Sequence, residues 1–99
     1  MFCIFLNVKY SNHKLMHVGH QYVVANFDPK TLKGIVAVDA YQISPDKGLG
    51  IFTFDNQANL EKHINVLKDF FKDYKDRFSC MASIETGIVN GELDYKANK

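Results

Sequence analysis

Three of the four histidines in this chain, His13, His17 and His20, stand in the spacing H-x3-H-x2-H. Imidazoles this close could supply three corners of a tetrahedral zinc site, with Cys3, Cys80 or a water as the fourth ligand. The spacing matches no zinc signature, and no paired cysteines accompany it. The three histidines therefore stand as weak metal candidates, and neither a metal nor any other cofactor is expected. Clustered imidazoles also titrate near about pH 6.5, so the segment could respond to mild acidification.

Asp39 is the second group with chemical potential, because it interrupts an otherwise apolar, β-branched run. A carboxylate there either faces water or is buried at a cost. Its only comparable partner is Glu85, and two carboxylates together could serve hydrolysis or metal binding. An aspartate on the wet side of a sheet explains the pattern more simply. No G-x-S-x-G occurs, and Gly48-Leu49-Gly50 lacks the Lys-Ser/Thr that completes a phosphate-cradling loop. Cys3 and Cys80 read as buried free thiols behaving as small hydrophobes.

The elements that must position these groups follow from apolar periodicity. Positions 2, 4, 6, 8 and 10 are apolar while Asn7 and Lys9 take the other face, a period of two that predicts a strand. Residues 11–20 show no clean period, and Gly19 argues against a helix, so an irregular connection is expected. A β-rich run follows at 21–27, and another at 35–43 after the Asp28-Pro29 turn. Ser44-Pro45-Asp46-Lys47-Gly48 is a strong turn signal; a short strand over 49–54 completes a predicted antiparallel meander.

One helix is clear, over about 57–77. Leu60, Ile64, Leu67, Phe71, Tyr74 and Phe78 step by four and three, with charges on the opposite side. Asp55 or Asn56 can cap it. The last segment alternates from Cys80 to Val89, and Asn90-Gly91 predicts a hairpin over about 80–95. The expected fold is α+β in two layers: an antiparallel sheet of five or six strands, in the order β-β-β-β-α-β-β, packed by one long helix. Ninety-nine residues suffice for one such domain.

Composition narrows function by exclusion. Twelve Lys+Arg against eleven Asp+Glu leave a formal charge of +1, so no global field advertises nucleic acid or membrane. Met1-Phe2-Cys3-Ile4-Phe5-Leu6 lacks the basic start and cleavage site of a signal peptide, which points to a cytoplasmic protein. With no catalytic constellation in view, the expected function is non-enzymatic. The leading expectation is a protein-binding module, an inhibitor or adaptor covering a larger protein, in the style of viral or mobile-element accessory proteins. Tyr22, Tyr41 and Phe52 on the sheet, with His17 and His20 in the loop, are the expected contacts. Nucleic-acid binding through sheet aromatics and a metal-dependent or histidine-assisted hydrolase are the alternatives. A free sheet edge or face also allows a homodimer.

Overall fold

The computed structural model describes residues 1–93 and Tyr95. Strand β1 (Phe2–Tyr10) is followed by helix α1 (His13–Asn26), a short 3-10 turn at Pro29–Thr31, and strands β2 (Ile35–Ser44) and β3 (Lys47–Phe54). Helix α2 (Gln57–Phe78) and strand β4 (Cys80–Ile88) complete the described elements. The sheet has four strands in the order β2-β3-β1-β4, and every neighbouring pair is antiparallel. Both helices lie on one face.

The alternation in β1 sets which face that is. Ile4, Leu6, Val8 and Tyr10 are buried beneath the helices, opposite Phe52 and Phe54 of β3 and Cys80 of β4. Cys3, Phe5, Asn7 and Lys9 point to the other, open face. That parity separates the two thiols: Cys80 pairs with Tyr10 on the covered face, Cys3 lies near the far end of β1 on the open one, and both are free and buried.

Helix α2 starts where Asn56 accepts a hydrogen bond from the Asn59 backbone N–H at 2.9 Å, and it ends on Ser79 at φ 50°, ψ 50°. Its buried face is Leu60, His63, Leu67, Phe71, Tyr74 and Phe78. His63 takes the inward place, stacked on the Phe54 ring, and Ile64 sits at the margin. These residues join β1, Met16, Leu32 and Phe52 in one core.

Four fold expectations need correction. Residues 13–26 form a helix where an irregular loop and a strand were expected. The Asn12 side chain accepts from the Leu15 N–H at 2.9 Å and caps it. Its inward face is Leu15, Met16, Gly19, Tyr22 and Val23, at helical spacing. The period was hidden because its central member is glycine: Gly19 packs against Tyr10 and Tyr74, where a larger residue would collide.

The sheet accordingly has four strands in place of five or six. The predicted meander loses its first strand, because residues 21–26 belong to α1; its other two strands pair antiparallel as β2 and β3, and β3 lies between β2 and β1. The sequence-predicted hairpin over 80–95 is not formed by the described residues. Cys80–Ile88 pairs with β1, while 90–93 make a turn in which the Asn90 side chain accepts from the Glu92 N–H; Asp94 lies outside the described residues. No helix among the described residues is long and apolar enough to cross a membrane.

Candidate functional site

A cleft of about 420 Å³ opens between α1 and the covered face of β2 and β3. It exists because that stretch of sheet is stripped of side chains. Ala40, Gly48 and Gly50 face α1 in register across β2 and β3. A Cβ on Gly50 would lie 3.5 Å from Phe52 Cε2, and one on Gly48 would lie 3.7 Å from His20 Nε2. Leu6, Val8 and Phe52 form the floor, Val23, Val24 and Phe27 the helix wall, and Val38 and Gln42 the β2 side. The volume falls in the ~300–1,000 Å³ range of small-molecule sites, and the lining has their mainly apolar character.

Its polar groups are few. The hydroxyls of Tyr10 and Tyr74 are hydrogen-bonded to each other at the inner end, on β1 and α2. Burial pushes both phenols above the usual tyrosine range, so both stay protonated at neutral pH. His20 hangs from α1 toward Gly48, its ring edge-on to Tyr10 with centroids 6.0 Å apart. Partial burial, and secondarily the neighbouring His17, lower its pKa below the ordinary imidazole value. A neutral imidazole can accept a proton at physiological pH, the first requirement of a general base.

Helix α1 places His13, His17 and His20 on successive turns, but their chemistry diverges. His13 Nδ1 lies 2.9 Å from the Pro45 carbonyl oxygen, to which its N–H donates. His17 is exposed and lies 3.4 Å from the Gln21 amide, and His20 alone reaches the cleft. Among the described residues no group of three His, Cys, Asp or Glu is placed to hold a metal ion.

Phe52 is buried in the cleft floor, edge-on to Phe27. Tyr22 lies on α1, not on the sheet, packed among Phe70, Tyr74 and Phe78 with the Arg77 guanidinium 5.1 Å from its ring centre. Tyr41 is half exposed and shares the open-face row with Leu49 and Asn7. Asp39 and Glu85 stand at opposite ends of another open-face row, Asp39-Ile51-Phe5-Glu85. Three strand spacings of about 4.8 Å keep them roughly 14 Å apart, too far for one carboxylate pair.

Sequence reasoning singled out His20, weighed Gly48-Leu49-Gly50 only as a phosphate loop and set it aside, and placed Tyr10 and Tyr74 on the apolar faces of a strand and a helix. The one available signal was Gly-Leu-Gly inside a strand, where paired glycines on one face mark close approach or open space.

No family model and no curated protein matches the chain. Solved structures do match along nearly its whole length. A dimeric ferredoxin-like protein from an uncultured marine organism superposes with a TM-score of 0.74 at 12% identity, covering 99% of this chain and 100% of that one. A cofactor-independent oxygenase from Streptomyces nogalater gives 0.63 at 8% identity, covering 95% and 98%. A monooxygenase from Streptomyces coelicolor, in complex with the ligand nanaomycin D, gives 0.60 at 7% identity, covering 90% and 88%.

These neighbours overturn the expectation of a non-enzymatic inhibitor or adaptor, viral or otherwise. Proteins of this fold carry the names of oxygenases, and nothing supports a larger protein partner. Of the residues behind the alternatives, Phe52 is buried in the cleft floor and does not offer an exposed platform for bases, and Asp39 stands in the row with Ile51 and Phe5. At these identities the likeness establishes architecture: the chain has the ferredoxin-like α+β fold, a four-stranded antiparallel sheet covered on one face by two helices.

Proposed function

We propose that this chain is a small-molecule enzyme of the monooxygenase type, acting on a planar, largely apolar aromatic substrate held in the cleft between α1 and β2–β3. The carrying observation is the cleft itself: an apolar space of about 420 Å³ with one pKa-lowered imidazole at its mouth. The names of the fold neighbours supply the reaction class, one of them being an oxygenase that needs no cofactor.

In that chemistry the substrate is the reductant. It therefore carries an acidic C–H whose conjugate base is spread over its rings. His20 accepts that proton, and the carbanion passes electrons to dioxygen and forms a carbon–oxygen bond. Loss of water then leaves a ketone. A methylene and O2 become a carbonyl and H2O, a four-electron oxidation balanced by four-electron reduction of dioxygen. The apolar walls hold the rings and exclude water, so that the neutral imidazole is not stabilised as its cation until it takes the substrate proton.

Anthrone, three fused rings with one doubly activated methylene, is a suitable probe. Wild-type protein is expected to accelerate oxygen uptake, with one quinone formed per O2, and His20→Gln to lose that acceleration. Uptake no faster than in buffer refutes the oxygenase reading.

A second copy of this chain is the partner we propose for the open sheet face, where Phe5, Leu49 and Ile51 are half-buried and Tyr41 and Met81 are exposed. One structural neighbour is dimeric. A dimer mass in light scattering, returned to monomer by Met81→Lys with Tyr41→Lys, is expected; a wild-type monomer at every concentration sinks this assignment.

A further inference from the structure

The Tyr10–Tyr74 pair has one proton too many for the contacts it makes. Two phenolic hydroxyls carry two protons, and the single hydrogen bond between them uses one. The oxygen that accepts in that bond still has its own O–H, for which the described residues offer no acceptor. Both side chains are almost fully buried, at 4% and 0% exposure, and both line the cleft. A donor kept out of water and left unmatched costs free energy, so its place in an apolar wall needs a reason.

The surroundings are arranged around this pair. Tyr10 arrives from the end of β1 and Tyr74 from α2, an approach across the core that only tertiary packing creates. Gly19 of α1 closes over them, and a Cβ there would fall 2.2 Å from the Tyr74 oxygen. His20, one residue further on, sets its ring perpendicular to that of Tyr10. The cleft is thus apolar along its length, with a proton donor at the inner end and a proton acceptor at the mouth.

We infer that the Tyr10–Tyr74 pair is a recognition site for a ligand oxygen: a carbonyl or phenolate oxygen on a planar aromatic ligand accepts the hydroxyl proton that the protein leaves unmatched. The inference rests on the cleft being a ligand site and adds what it selects, an aromatic ketone over the hydrocarbon of the same shape. The pair also polarises in a chain, since the donating hydroxyl becomes a stronger donor when it is itself hydrogen-bonded. A developing negative charge on the ligand oxygen, as arises when a neighbouring C–H loses its proton, strengthens the same contact.

Fluorenone and fluorene test this directly, because both are flat three-ring molecules that differ in one oxygen. Binding is followed by NMR titration, and the carbonyl stretch of bound fluorenone by infrared spectroscopy. The variant of choice is Tyr10→Phe with Tyr74→Phe, which removes both hydroxyls and leaves neither orphaned. Wild-type protein is expected to prefer fluorenone by about three- to tenfold, the worth of one hydrogen bond, and to lower the carbonyl frequency. The double variant is expected to bind both equally, without the frequency shift.

Equal affinities in wild-type protein, with an unshifted carbonyl, overturn the oxygen-site inference and leave the apolar cleft standing as a ligand site. Failure of wild-type protein to bind either molecule overturns the ligand-site reading and the inference with it.

Discussion

Substituting Gly19 by Ala tests how α1 sits on the core. In an exposed helix the change would stabilise by about 1 kcal/mol, because glycine is the poorer helix former. Here the added carbon would lie 2.2 Å from the Tyr74 oxygen and 3.1 Å from both Tyr74 Cζ and Tyr10 Cε1. The first distance is far inside contact, and the atom it meets is held in place by the Tyr10 hydroxyl and by a fully buried ring. Overpacking of this kind costs about 1–3 kcal/mol. The net expectation is a loss of up to about 2 kcal/mol, with α1 lifted from the sheet and the cleft widened.

Tyr74→Phe removes the colliding oxygen and leaves two tight ring contacts, so Gly19→Ala is expected to be close to neutral in that background. Four urea melts, of wild type, the two single variants and the double, give the coupling between the positions, expected at up to about 2 kcal/mol. A Gly19→Ala protein stabilised by the same amount in both backgrounds would refute the seating of α1 on Tyr74, and with it the geometry of the cleft's inner end.

Other consequences concern the core and the base. Phe71→Ala, which removes a buried ring packed against Phe70 and Tyr74, is expected to destabilise by about 3–5 kcal/mol in denaturant melts; an unchanged midpoint would mean that α2 is rotated from the orientation described. His63 Nε2 is buried with no hydrogen-bond partner among the described residues, so His63→Leu is expected to raise stability by about 1 kcal/mol, and a clear loss of melting temperature would reveal a partner for that nitrogen. Because the His20 pKa is depressed, its free base persists below the ordinary value of about 6.5. The rate of anthrone oxidation is then expected to hold as pH falls to 6.5 and to drop only below it, whereas a midpoint above 6.5 would assign the proton transfer to another group.

Much of the local structure was legible in the chain. The alternation of β1, five of the six stripe residues of α2, the cap at Asn56 (one of two candidates) and the Pro45-Asp46 turn all depend on near neighbours, and they appear where local physics places them; the exception in the stripe is Ile64, whose inward place His63 takes. Helix α1 was not legible: the residue that seats it is a glycine, which reads as a breaker until Tyr10 and Tyr74 are seen to need the room. The Val23-Val24 pair reads as strand by propensity, and the packing of Tyr22, Val23 and Phe27 against the core outweighs that preference.

The candidate site divides the same way. His20 drew attention by type and spacing, and the neighbouring His13 and His17 looked like its partners. Their actual roles follow from what each turn of α1 faces: a loop carbonyl, solvent and the cleft. The cleft's other parts come from strands and helices far apart in sequence. Whether Gly48 and Gly50 mark a turn or an open wall depends on what stands opposite them, and whether two tyrosine hydroxyls share a proton depends on β1 meeting α2. Composition and period thus determined a two-layer α+β protein without a strong charge field. Its ligand space and the donor and acceptor at its two ends were decided by tertiary packing alone, because each is a relation between residues that no local pattern brings together.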